Sequence, residues 1–154
     1  IGKNLAKRLN YKFVDVDKII EAEEGLSINS IFKKKSESYF RKIENDITLS
    51  KLKKESTVIA LGGGAFLNST IRRSAKKLSV SFWLDVPIHE LIRRLKKSNQ
   101  RPLLFKKNIT DTVKKIYFDR KKTYNEADFK IKCGSLKSDQ IVSRILNLYE
   151  NAGN

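Results

Sequence analysis

The sequence holds no methionine, one cysteine (Cys133), one histidine (His89) and two prolines among its 154 residues. One thiol cannot close an internal disulfide, and a lone His with a lone Cys cannot build a Cys/His zinc cluster. Thiol usage this sparse fits a reducing compartment, and a cytoplasmic location is expected. No apolar run approaches the roughly 18 residues of a membrane span. No basic start followed by an apolar stretch marks a secretory signal, so no membrane partner is expected. The missing methionine, with Ile1 in first place, leads us to expect a chain shortened at its N-terminus.

What the chain has in excess is positive charge. Lys and Arg number 33 against 17 Asp and Glu, a formal charge of +16. A nucleic-acid binder would gather such charge in one stripe and alternate it with aromatics. Here the pairs Lys53–Lys54, Lys76–Lys77, Lys96–Lys97, Lys106–Lys107, Lys114–Lys115 and Lys121–Lys122 are scattered along the whole chain. The expectation is therefore solvated helix faces and no nucleic acid, in a field that steers small anionic substrates. The 40% hydrophobic content supports one core, and the length suits a single domain over residues 1–154.

Periodicity gives the layout. Ile1, Leu5 and Leu9 repeat every four residues, as in a helix. Tyr11–Asp15 reads as a strand, Ser27 as the cap of a helix bearing Ile28, Ile31 and Phe32, and residues 38–54 as a longer helix. Thr57–Leu61 is a continuous apolar run of strand length, which suits a parallel strand covered on both faces. Residues 70–77 read as a helix and Val80–Leu84 as a third strand. Asp85 and Pro87 read as the capped start of another helix. Residues 98–108 read as a loop, 110–124 as a helix, Phe129–Cys133 as a fourth strand, and a last helix is capped by Ser138. This alternation predicts an α/β fold with a parallel sheet, whose ligands bind beyond the carboxyl ends of the strands.

That rule directs attention to a few groups. Asp15 and Asp17 leave the first strand two positions apart, and strand alternation would put both on one side. Such a pair either holds Mg²⁺ through water, accepts bonds from substrate hydroxyls, or caps a helix. Gly62, Gly63 and Gly64 follow the second strand and would expose backbone to a ligand, or simply form a tight turn. Arg41 and Glu44, three apart on a helix, can pair. Arg120 shares a helix face with Val113, Ile116 and Tyr117, and an inward Arg needs an anionic partner, with a bidentate carboxylate the obvious one. Arg101, in the loop Asn99–Leu104, either closes over a phosphate or is an ordinary exposed loop arginine. His89 reads as a helix-surface residue and Cys133 as a buried strand residue.

Taken in order, FVDVD (13–17), GLSINSIF (25–32), FRKIE (40–44), ALGGGA (60–65), WLDVP (83–87), QRPLL (100–104) and DRKKTYNEAD (119–128) resemble the shikimate kinase family of the P-loop kinase superfamily. The resemblance runs from Ile1 to about Tyr149. It implies a three-layer α/β/α fold of sheet order 2-3-1-4-5, substrate-binding helices over 16–56 and a lid loop at about 96–109. It also implies transfer of the ATP γ-phosphate to the 3-hydroxyl of shikimate with Mg²⁺, by a cytoplasmic monomer. On matching positions, Asp17 would bind and activate the substrate hydroxyl, while Arg41 and Arg120 would clamp the carboxylate. Gly62, Gly63 and Gly64 would line the ring, and Glu44 would fix Arg41. Asp15 would hold Mg²⁺ through water, Arg101 would cover the ATP phosphates, and Arg94 would flank adenine.

Two departures accompany the resemblance. IKCGSLKSD (131–139) lacks the Asp-Thr that often follows the family's last strand, leaving Lys137 a weak adenine candidate. The family's first strand and its G-x-x-G-x-G-K-[ST] loop have no counterpart in these residues. Removing a central strand costs more than the roughly 5–15 kcal/mol that holds a domain together. The expectation is that the 154 residues alone are neither stably folded nor active, and that the full-length parent is active. Competing readings are a gluconate- or nucleoside monophosphate-type kinase, and a non-catalytic basic binding module that has lost its phosphate loop.

Overall fold

The computed structural model describes residues 1–96 and 108–152. The chain runs α1 (Gly2–Leu9), β1 (Lys12–Asp15), α2 (Val16–Glu24), α3 (Ile28–Lys34), α4 (Glu37–Leu52), β2 (Thr57–Ala60), a 3-10 turn (Ala65–Leu67), α5 (Ser69–Leu78), β3 (Phe82–Asp85), α6 (Ile88–Lys96), α7 (Ile109–Tyr124), β4 (Phe129–Lys132) and α8 (Ser138–Ala152). All pairing is parallel, as the strand–helix alternation requires. The four strands form two separate ribbons. β1 pairs with β2, Lys12 opposite Thr57 through Asp15 opposite Ala60. β3 pairs with β4, Phe82 opposite Phe129 through Asp85 opposite Lys132.

Alternation along the strands sorts their side chains between two cores. Val14, Ile59 and Leu61 pack with Val16, Ile20, Ile31, Phe40 and Ile47 beneath α2, α3 and α4. Val58 points the other way, into a core made by Leu5 of α1, Phe82 and Leu84 of β3, Ile131 and Cys133 of β4, and Ile141, Val142, Ile145 and Leu146 of α8. Both faces of β2 are thus covered, which accounts for its unbroken apolar run. Each fully buried aliphatic side chain here is worth about 1.5–3 kcal/mol. α1 lies against β1, β2 and α8, and its Leu5 and Leu9 belong to the second of these cores.

Three local expectations need correction. The chain turns helical at Val16, one residue after β1 ends, so α2 occupies 16–24, a helix that periodicity did not place and that the family resemblance implied within 16–56. Asp15 is its N-cap, with Oδ1 accepting from the Lys18 amide at 3.2 Å, and Gly25 ends it at φ +61°. Strand alternation therefore does not relate Asp15 to Asp17: Val16 between them is fully buried, and Asp17 sits in the first helical turn. Asp85 does not cap α6. It closes β3, and its carboxylate accepts from the Tyr117 hydroxyl at 2.9 Å and pairs with Lys130 at 3.0 Å. Ser138 is the first residue of α8, not its cap. Cys133 is buried and His89 exposed, as expected.

Candidate active site

The carboxyl end of β2 runs into Gly62-Gly63-Gly64, and three other elements converge on that rim. The nature of each glycine shows in what a β-carbon would meet there. At Gly62 it would lie 2.7 Å from Asp17 Oδ1 and 3.1 Å from Glu44 Oε1. At Gly63 it would lie 3.3 Å from Arg120 Nη1, and at Gly64 2.6 Å from Arg41 Cζ. So α2 delivers Asp17, α4 delivers Arg41 and Glu44, and α7 delivers Arg120 to successive positions of one strand end. Close approach of side chains to backbone, not positive φ, is what requires glycine there.

The two arginines are held differently. Arg41 Nη1 donates to Glu44 Oε2 at 2.7 Å, and its Nη2 and Nε donate to Glu37 Oε1 at 3.2 and 3.3 Å. The guanidinium also lies 5.2 Å from the Phe40 ring centroid. Arg120 Nη1 donates to the Gly63 carbonyl at 2.6 Å. Its inward aim was legible, but its partner in this structure is a neutral carbonyl, not a carboxylate. The Tyr124 hydroxyl donates to the same carbonyl oxygen.

Burial sets the electrostatics. Glu44 is 2% exposed, and desolvation raises its pKa above the ordinary carboxylate value despite the hydrogen bond and charge of Arg41. The negative charge of Asp17 pushes it further up, while the positive charge of Arg120 pulls it down. Burial opposes the Arg41 charge as well, but Glu44 and Glu37 outweigh it, and its pKa rises. The partners shift unlike a surface pair because desolvation falls mainly on the carboxylate. Glu44 thus feels Asp17, Arg41 and Arg120 together, which places all four within one electrostatic neighbourhood.

Of the other expected site residues, Asp15 lies at the end of β1 as the α2 cap. Arg94 is an exposed residue of α6, near Glu90 at 3.8 Å, and does not join the rim. Arg101 and the proposed lid lie outside the described residues. Among the described residues no group of three or more His, Cys, Asp or Glu gathers as a metal cage. Nor is any described helix long and apolar enough to cross a membrane.

Three contributors escaped sequence reasoning. Glu37 precedes Arg41 by four residues and Tyr124 follows Arg120 by four, so helical spacing could have found both. Arg72 donates to the carbonyls of Phe66 and Leu67 at 3.0 and 2.8 Å and pairs with Glu126 at 2.9 Å. It ties the turn behind the glycines to the segment after α7, and no local pattern announces it.

Residues 1–150 match the sequence model of a family described as shikimate kinase. A shikimate kinase of Sulfurihydrogenibium sp. is 39% identical over 146 residues, covering 95% of this chain and 87% of the relative. One from Aquifex aeolicus is 38% identical, covering 95% and 85%. Among solved structures, shikimate kinase from Acinetobacter baumannii in complex with shikimate superimposes with a TM-score of 0.93 at 27% identity, covering 98% of this chain and 85% of that one. The Aquifex aeolicus enzyme superimposes at 0.85 with 38% identity, covering 98% and 89%. With the ordered motifs, the parallel α/β architecture and this match over nearly the whole length, the chain belongs to the shikimate kinase family.

Proposed function

We propose that this protein phosphorylates the 3-hydroxyl of shikimate with ATP, the substrate lying on the Gly62–Gly64 rim. The observation that carries the reading is the convergence of Arg41 and Arg120, from separate helices, on adjacent glycines beside Asp17. Two guanidinium groups suit a carboxylate, a carboxylate beside them suits a hydroxyl, and bare backbone suits close approach of a polyol ring. Arg41, fixed by Glu44 and Glu37, and Arg120 clamp the substrate carboxylate. Asp17 accepts a hydrogen bond from the 3-hydroxyl and takes its proton as the oxygen bonds to the γ-phosphorus. The bond from that phosphorus to the bridging oxygen breaks, and ADP leaves.

The residues present suit a hard cation. Asp15 offers a carboxylate at the carboxyl end of a parallel strand, and Mg²⁺ is ordinarily held by one or two carboxylates, waters and substrate phosphates. When bound with ATP, it would neutralise phosphate charge during transfer. Arg101 would close over the phosphates from the lid at about 96–109, Arg94 would flank adenine, and residues 16–56 would form the substrate-binding helices. The interval between β2 and β3 would take a fifth parallel strand in the order 2-3-1-4-5, since among the described residues each pairs on one side only. The 154 residues contain no G-x-x-G-x-G-K-[ST] sequence. A cytoplasmic monomer completes the reading.

The test is ADP release by the polypeptide of the complete reading frame, with ATP, Mg²⁺ and a panel of shikimate, gluconate and nucleoside monophosphates. Saturable release with shikimate is expected. No release at saturating shikimate, or preferential turnover of a nucleoside monophosphate, overturns the proposal.

A further inference from the structure

The Gly63 carbonyl accepts two hydrogen bonds, one from Arg120 Nη1 and one from the Tyr124 hydroxyl. A carbonyl oxygen has two lone pairs, so both donors are accommodated at once. They differ in what else they can do. Arg120 keeps four further N–H donors and a full charge for an anion. Tyr124 has a single donor, directed at Gly63. Its ring is fixed from behind, 5.8 Å from Trp83 of β3 and 6.5 Å from Phe66 of the turn after the glycines.

From this we infer that Tyr124 is a positioning residue for the substrate carboxylate: it holds the Gly63 carbonyl in place so that Arg120 is free to turn toward the anion. The inference rests on the proposed function and deepens it. Without the phenol, Arg120 is the remaining donor to that carbonyl among the described residues, and it must serve both the rim and the substrate. The consequence falls on binding of the carboxylated substrate, not on ATP and not on the phosphoryl step.

The experiment is steady-state kinetics of Y124F in the complete reading frame, which removes one oxygen and keeps the ring. The KM for shikimate should rise about tenfold, the effect of losing one hydrogen bond near a charged group. The kcat should stay within about twofold and the KM for ATP unchanged. Y117F is the control: it removes a phenol on the same helix whose partner is Asp85, and it should leave the shikimate KM as in the wild type. As a second probe, 3-fluorotyrosine installed at position 124 alone supplies a stronger donor with almost no change of shape, and should lower the shikimate KM. Trp83 is the only tryptophan in the chain and touches Tyr124, so its emission on titration with shikimate gives a binding curve independent of turnover. An unchanged KM in Y124F, an equal rise in Y117F, or a joint change of kcat and both KM values overturns the inference while leaving the kinase reading intact. Absence of shikimate turnover and of any Trp83 response in the wild type overturns both.

Discussion

The half of the molecule built on β1 and β2 and the half built on β3 and β4 each bring one arginine to the same glycines, but on different terms. In the first, Arg41 is wedged between Glu37 and Glu44, and the second of these is almost wholly buried. Its positive charge is largely balanced before any ligand arrives. In the second, Arg120 rests on a neutral carbonyl and keeps its full charge. A carboxylate approaching the rim is therefore drawn chiefly by Arg120 and shaped chiefly by Arg41. One half supplies field, the other geometry.

Removing each arginine in turn puts that contrast at risk most directly. In R120A the kcat/KM for shikimate should fall about 10³-fold, the scale of losing a paired, desolvated charge. In R41A it should fall about tenfold less, because part of that guanidinium's charge is already offset. Steady-state kinetics with shikimate varied at saturating ATP decides it, and an equal or reversed order would break the comparison.

The glycines sharpen it. G64A forces a methyl into a guanidinium pinned by two carboxylates, and should raise the shikimate KM about 100-fold. G63A meets Arg120 at a tight 3.3 Å, which the tip of that guanidinium can relieve by moving a few tenths of an ångström, and should raise it only about threefold. Similar effects in the two variants would mean that Arg41 is not the more rigidly held of the pair.

Stability against pH is the next measurement. The folded-state pKa of Glu44 is raised, so the folded chain holds more protons than the unfolded one between the ordinary carboxylate value and the raised one. Stability from this group is complete below the ordinary value and is lost as pH climbs through the raised one. Removing Arg41 takes away what opposes the shift, so the loss extends to higher pH. R41A should match the wild type near pH 4 and fall short by about 2 kcal/mol above neutrality. Urea midpoints across that range test the sign, and a gap that narrows as pH rises would contradict it.

The smallest effects are expected at Asp15, where capping and metal binding can be separated. Asn is as good an N-cap as Asp, so D15N should unfold like the wild type, whereas D15A should lose about 1 kcal/mol. Both should raise the Mg²⁺ concentration needed for half-maximal activity by about threefold, the scale of weakening one charge acting through water. An unchanged requirement in both would leave Asp15 as a cap alone.

Much of this was legible in the residues. The continuous run Thr57–Leu61 announced a covered parallel strand because covering both faces leaves no polar positions. Arg41 and Glu44 could be paired from spacing alone, since helix geometry fixes what lies three residues away. Periodicity did not place α2 because Asp15-Val16-Asp17 also reads as strand alternation. Val16, Ile19 and Ile20 at helical spacing, with Gly25 after them, carried the better signal. Spacing could set Tyr124 beside Arg120, but the partner of its hydroxyl was beyond reach for another reason. That bond links positions 61 residues apart, and local periodicity says which face a side chain occupies, never what sits opposite. Asp85 illustrates the same limit: it had the sequence of a cap, and its partners lie on α7 and β4.

Among the described residues, side chains of α1 and α8 pack across the seam between the two ribbons. Gly63 belongs to one ribbon's strand end, and the donors that grip its oxygen ride on a helix whose Tyr124 ring lies against Trp83 of the other ribbon. The proposed substrate seat thereby spans both halves, and its geometry at that one oxygen holds only while the two ribbons keep their relative place.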